Sequence, residues 1–464
     1  MKTTNYFKLY IGLFLVLLCS ACEDFVELDP PNSRVVSNVV FKSDELALSA
    51  MEGVYHRLFN ITGFASGSAH SVTSLAGLAS DEFDLYNTLI YSTLPDFRQN
   101  EIAITNTSNL NLWSSAYNTI YQTNAILEGI PASEGVTENT KKQLEGEARF
   151  VRAFSYFYLV NLFGDVPLVT TTDYDINALI SKSPSSDIYR FIIEDLNISH
   201  TLLGNSYRNS VRIHPNALAA SALLSRVYLY LEDWDQAEEL ATEVISATEN
   251  YTLLQDLNQV FLANSQEAIW QITPVGTTGQ TYEGSTFILF IPNFFLTPMA
   301  LSPSLINSFE DGDRRLDNWV GILSSGAGDF YYPFKYKVRN TTEAPTEYST
   351  VLRLSEQYLI RAEARAMMGN IPDAQLDLNK VRNRAGLDNA TAGTAQALMD
   401  AILQERRVEF FAEWGHRWFD LKRLQMADQV LSGYKPEWQS TDVLFPIPEQ
   451  ELSKNPNLVQ NQGY

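Results

Sequence analysis

Apolar residues recur at three- and four-residue intervals over most of this chain, most densely in EGEARFVRAFSYFYLVNLFGDVPLV, residues 145–169. Phe150, Phe154, Phe157 and Asn161 fall on one helical stripe, with Val151, Tyr158 and Leu162 beside it. Apolar surface therefore surrounds the cylinder, which predicts a helix buried on all sides. Gly164 ends it and Pro167 prevents its resumption.

Two later stretches share one pattern, SRVYLYLEDWDQAEELATEVI (225–245) and AEARAMMGNIPDAQLDLNKVR (362–382). In each a helix stops at a short turn and a second begins, with Ala237 corresponding to Ala374 and Ala241 to Leu378. Small residues at a crossing let helices approach closely, and such helix–turn–helix units bury their faces by stacking on neighbours. This resembles the tetratricopeptide repeat. Further pairs are expected at about 110–130 with 140–163 and about 187–203 with 215–231, giving roughly four degenerate units.

The texture changes between about 250 and 350, where Gly, Pro, Ser and Thr become frequent and short β-prone runs appear at 268–272 and 286–290. The stretch 64–111 has a similar character. The predicted fold is mostly α: a tetratricopeptide-repeat-like helical scaffold with an irregular loop-rich region containing short strands. Loops on a rigid scaffold are where binding residues concentrate.

Composition narrows the function. Of 464 residues 45% are hydrophobic, which fits a large globular core, and the formal net charge of −22 argues against nucleic acid, whose affinity comes from Lys and Arg on phosphates. The two cysteines, Cys19 and Cys22, sit together at the end of an apolar run, Leu9–Leu18, preceded by Lys2 and Lys8. That run is too short to cross a bilayer and reads as a secretory leader. Its end, LCSAC, resembles the bacterial lipobox, with Cys22 the lipidated first residue after Ser20 and Ala21. Bacterial lipoproteins carry more than one acyl chain, so this resemblance implies a permanent tether. The Glu23-Asp24 that follows resembles a signal for export to the cell surface.

Several segments in order, FVELDPP, EARFVRAFSYFYLVNLFGDVPLV, SDIYRFIIEDL, ALLSRVYLYLEDWDQA, NSQEAIWQI, YLIRAEARAMMGN, ERRVEFFAEWGHRWFDLKR and LFPIPEQELSKNPNLVQNQGY, resemble the SusD/RagB family. The resemblance implies a leader at 1–21, a tether and N-terminal docking segment at 22–45, an N-terminal helical region at 46–249 and a C-terminal region at 250–464. It also implies a cell-surface lipoprotein of the outer membrane that binds oligosaccharide or polysaccharide and partners a SusC-like TonB-dependent transporter. The alternatives are an oligopeptide ligand and, further off, a surface glycosidase.

Candidate chemistry is weighed against packing. In ERRVEFFAEWGHRWFDLKR the acids Glu405, Glu409, Glu413 and Asp420 and the imidazole of His416 suggest acid–base work, but Glu413 with Arg417 and Asp420 with Arg423 have the spacing of ion pairs along helix faces. That motif is expected to be structural. The five histidines are scattered and form no metal-ligand pair. FEDGDRR (309–315) offers Asp311 and Asp313 to a cation but lacks the remaining ligands of a calcium loop, so a turn is expected. No metal, cofactor or catalytic residue is predicted.

The aromatic supply, 12% of residues, remains. Sugar rings present C–H faces to aromatic rings, and their hydroxyls need planar polar partners. Loop-borne candidates for ligand binding are Tyr86, Asn87, Tyr91, Phe97, Arg98 and Asn100 in one stretch and Tyr282, Phe294, Trp319 and Tyr331 in the other. Trp113, Trp234, Trp270, Trp414 and Trp418 are expected in the core.

Overall fold

The computed structural model describes residues 40–86, 92–276, 279–290, 299–326 and 328–464. Lipidation at Cys22 and the candidates Asn87, Tyr91 and Phe294 lie outside the described residues. Helices of eight or more residues are α1 (Asp44–Leu58), α2 (Val72–Ala79), α3 (Thr107–Gly129), α4 (Glu138–Phe163), α5 (Ser185–Leu202), α6 (Ala217–Tyr230), α7 (Trp234–Ser246), α8 (Leu354–Met367), α9 (Ile371–Arg384), α10 (Ala395–Glu409) and α11 (His416–Arg423). The mostly helical, tetratricopeptide-like class expected from the repeats is the one observed.

Each helix from α3 to α10 packs on the next. The starts are capped by side chains that accept the first free backbone N–H groups: Asn106 for α3, Thr137 for α4, Asn216 for α6 and Asp233 for α7. Helix α4 is buried over most of its circumference, as its sequence requires, and stops at Gly164 with φ 73°. Ala237 and Ala241 of α7 meet Ile360 and Ala364 of α8, while Ala374 and Leu378 of α9 pack in a separate cluster with Leu359 and Ile402. The paired small residues thus sit where two helices touch.

Because α7 packs directly on α8, residues 247–353 leave and re-enter the array between neighbouring helices. The base of this excursion is a pair of fully buried antiparallel strands, β4 (Ala268–Ile272) and β8 (Ser349–Arg353). Trp270 of β4 lies edge-on to Phe150 and Phe154 of α4, each with ring centroids 4.9 Å apart. Of the other strands, β1 (Phe83–Leu85) pairs with β5 (Met299–Leu301), β2 (Val166–Pro167) with β3 (Lys182–Ser183), and β6 (Val320–Ser325) with β7 (Gly328–Pro333), all antiparallel. The β1–β5 pair joins the two loop-rich stretches, and the β6–β7 hairpin packs beside β5.

The ERRVEFFAEWGHRWFDLKR motif is structural, in a different way from the one its spacing suggests. Helix α10 ends at Glu409, and Ala412, Trp414 and Gly415 adopt positive φ angles of 55°, 49° and 72° before α11 begins. Glu413 is therefore not one helical turn from Arg417, and the expected pair is replaced. Glu413 binds Arg353 and Lys335, while Arg417 binds Asp81 at 2.7 Å. The Asp420–Arg423 pair forms as expected, at 2.8 Å, and Arg406 adds a second guanidinium at 2.7 Å. Glu409 meets Arg315, Arg353 and Arg384 together. Burial would push its carboxyl up, but the three guanidiniums hold it well below the usual range. His416 is kept neutral by burial and by the guanidiniums around it.

Candidate functional site

Strand β1 is the foundation of the site, and its approach is fixed by charge. Asp81, buried at 2% exposure, takes Arg407 at 2.6 Å and Arg417 at 2.7 Å, and its carbonyl accepts the Ser302 hydroxyl. The next residue, Glu82, accepts the Ala412 N–H at 2.8 Å. The irregular turn between α10 and α11 therefore anchors the chain just before Phe83. Gly415 gives the necessary clearance, since a Cβ there would come within 2.7 Å of Ala76 on α2.

Tyr86 follows β1 directly, and its ring lies 5.2 Å from that of Phe330 on the hairpin. Side chains alternate along β7, so Phe330 and Tyr332 share one face and Tyr331 takes the other, where it packs half-buried on the main core. Tyr332 lies over Gly321 of β6, in space that a Cβ would fill. Phe330 and Tyr332 were not singled out from sequence. The parity of GDFYYP could have found them, but only once the register with β6 was known.

A polar edge adjoins this ring pair. Arg98 donates to Asp84 Oδ1 at 2.8 Å and lies 4.7 Å from the Tyr434 ring centroid, while the Tyr434 hydroxyl donates to the same Asp84 oxygen at 3.1 Å. Burial and the Asp84 charge push the Tyr434 phenol up to about 12, so it stays protonated. Arg98 and Asp84 keep 23% and 35% of their side-chain surface exposed, which leaves hydrogen-bonding capacity for a ligand.

Three candidates are corrected by the structure. Phe97 is fully buried and edge-on to Phe445 at 5.3 Å, because its helix turns that side inward while Arg98 faces outward. Asn100 is 1% exposed, ends that helix at φ 62° and accepts the Lys435 ammonium at 2.6 Å. Trp319 is completely buried, donates to the Leu257 carbonyl at 3.0 Å and packs on Phe261. Trp319→Ala is thus expected to lower stability by about 3–5 kcal/mol in urea unfolding, as truncation of a large core aromatic does. Unchanged stability would contradict that placement. Trp113, Trp270, Trp414 and Trp418 are buried as expected, and Trp234 is half-buried. Asp313, a candidate cation ligand, instead caps the short helix Arg314–Trp319 and pairs with Arg315.

Tyr282 stacks on Phe59 at 4.4 Å. Its neighbour Glu283 is buried, bonded to the Ser349 hydroxyl, and its other oxygen has no hydrogen-bond partner among the described residues. Gly67 makes room, since a Cβ there would meet the carboxyl carbon at 2.1 Å. Burial, against the Ser349 hydrogen bond, pushes the Glu283 carboxyl from 4.5 to about 7. A raised carboxyl favours folding below pH 4.5, and that contribution is lost as pH rises to 7. At about 1.4 kcal/mol per unit the loss is about 3 kcal/mol. Glu283→Gln should therefore match the parent in chemical unfolding near pH 4.5 and exceed it at pH 8. Parallel pH profiles would refute the assignment.

A family model described as starch-binding and associating with the outer membrane matches residues 28–229, and the SusD family model matches residues 307–464. A SusD-like protein of Formosa agariphila is 23% identical, with 100% of each chain covered. The starch-binding protein SusD of Bacteroides thetaiotaomicron is 25% identical over 72% of this chain and 75% of its own. Among solved structures, a laminarin-binding SusD-like protein superposes with a TM-score of 0.79 at 25% identity, covering 91% of this chain and 100% of that one. The ordered motifs, the stacked helical array and these matches to both parts of the sequence agree, and the chain belongs to the SusD/RagB family.

Proposed function

We propose that this protein binds an oligosaccharide or polysaccharide nutrient at the cell surface and delivers it to a SusC-like TonB-dependent transporter, without turning it over. The observation that carries the reading is the ledge made by Tyr86 and Phe330 beside the Arg98–Asp84–Tyr434 edge. Flat rings accept the C–H face of a sugar, and a guanidinium with a carboxylate serves its hydroxyls. The ledge stands on β1, whose approach is braced by the buried Asp81 ion pairs, and on the β6–β7 hairpin, which packs beside β5, so little ordering is needed on binding. Tyr282 and Tyr331, each half-buried, extend the set of loop-borne rings.

The relatives point the same way: one binds laminarin, and another is a starch-binding protein. The family description associates with the outer membrane, which fits a lipid on Cys22. The acids that suggested a hydrolase are committed elsewhere. Glu405, Glu409 and Glu413 are at most 5% exposed and each contacts a guanidinium, whereas a glycosidase needs two carboxyls facing a cleft.

The test is a glycan array probed with the full-length protein in mild detergent, followed by competition with peptide libraries. Retention on a defined glycan, with the glycan recovered at its original length, supports the proposal. Displacement by peptides alone would favour the oligopeptide reading, and shortened products would favour an enzyme.

A further inference from the structure

Buried charge in this protein is paired almost everywhere. Arg226 holds Glu356 at 2.6 Å, and Arg423 holds both Glu363 and Asp420. The lysines that depart from this pattern are informative. Lys435 has its three N–H groups filled by the carbonyls of Leu78 and Ala79 at the end of α2 and by Asn100, so its role is structural. Lys422, in the last turn of α11, differs. Its ammonium donates to the Asn161 carbonyl, and no carboxylate is within ion-pair distance among the described residues. Burial alone pushes this amine down to about 7.

Lys422 borders a cavity of about 390 Å³ between the end of α4, the start of α5, α11 and the C-terminal segment. A second amine, Lys182 of β3, lines the same space and donates to Asn461 Oδ1 at 3.0 Å. An ammonium carries three N–H donors, so each lysine has two more to offer. The carboxylate that lines this space, Asp165, accepts the Ser185 N–H and hydroxyl through Oδ1, both at 2.7 Å, and its charge favours the protonated Lys182 without an ion pair between them. The rest of the wall combines hydroxyl and amide groups, with Tyr189 donating to Asn161 Oδ1 at 3.0 Å, with the Tyr230 ring, Val160, Leu444 and Arg423, whose guanidinium is held by Glu363 and Asp420.

We propose that this cavity is a second binding site, for a small hydroxylated carboxylic acid of the hexuronate type, whose carboxylate sits between Lys182 and Lys422. Two ammonium groups lining one space, neither in an ion pair among the described residues, ask for an anion, and charge-assisted hydrogen bonds to a carboxylate are stronger than those to neutral oxygen. The surrounding amides and hydroxyls match sugar hydroxyls, and the volume is at the small end of ligand pockets, suiting a single monosaccharide unit. The site shares no residue with the Tyr86–Phe330 ledge, so the inference does not rest on the proposed function.

The experiment is calorimetric titration of the full-length protein in mild detergent with sodium glucuronate, glucose and inorganic phosphate at pH 6.5. Saturable one-to-one binding of glucuronate, with glucose silent and phosphate weaker, is expected. Lys422→Met and Lys182→Gln should each lower the glucuronate affinity by about tenfold or more, as loss of one charged hydrogen bond does. Circular dichroism establishes that each variant is folded, and Lys182, on a two-residue strand, supplies the readout if Lys422→Met does not fold. Absence of glucuronate binding, equal binding of phosphate, or unchanged affinity in the folded variants overturns the inference.

Discussion

Glu409→Ala should leave the protein unfolded at room temperature or cost it about 3–5 kcal/mol or more in urea unfolding, the range seen when one partner of a buried ion pair is removed. The reason is stoichiometric. One carboxylate meets Arg315, Arg353 and Arg384, and all three guanidiniums are at most 2% exposed. Deleting it strands them in low dielectric, with Glu267, Glu405, Glu413 and Asp313 left to share among the described residues. Glu409→Gln keeps the shape and one acceptor, so it should fall between parent and alanine variant. A loss under about 1 kcal/mol, the range of exposed pairs, would mean that the network is wet and weak.

The second large effect concerns the ligand. Tyr86→Ala combined with Phe330→Ala should lower glycan affinity by roughly 30-fold, equivalent to about 2 kcal/mol for loss of a stacking platform at a binding hot spot. The far-ultraviolet circular dichroism should stay that of the parent, since the Tyr86–Phe330 contact lies outside the helical array. Arg98→Ala should weaken binding less, because Asp84 and Tyr434 remain to serve hydroxyls. Affinity measured by titration separates these cases.

The helical scaffold was readable because its signals are local. The all-round apolar pattern of 145–163, the stop at Gly164 and the matching alanines at Ala237 and Ala374 depend on residues within a few turns, and each is realised. Ring placement depends on contacts between distant segments, which one-dimensional spacing does not encode. Trp319 lies in a loop-rich stretch, yet Leu257, Phe261 and the Lys335 ammonium enclose it from elsewhere in the chain. Phe330, rather than Tyr331, meets Tyr86 because the β6–β7 register sets the parity of the strand.

The ERRVEFFAEWGHRWFDLKR motif illustrates the same limit. Its i,i+4 spacing for Glu413 and Arg417 assumes an unbroken helix, and the positive φ angles at Ala412, Trp414 and Gly415 break it. Freed from one another, Glu413 turns to Arg353 and Lys335, while Arg417 reaches Asp81 beneath the candidate site. The motif thus links the end of the helical array to the strand that carries Tyr86. Its charges help to fix the position of β1.

The central claim is that loop-borne rings on this braced frame capture a glycan intact. The decisive measurement is titration of the full-length protein, in detergent, with the best oligosaccharide from the array, before and after the Tyr86→Ala, Phe330→Ala exchange. Saturable binding that drops by more than tenfold in the folded double variant, with the sugar recovered unshortened, is predicted. Equal affinity in the two proteins, or no glycan bound by either, would contradict it.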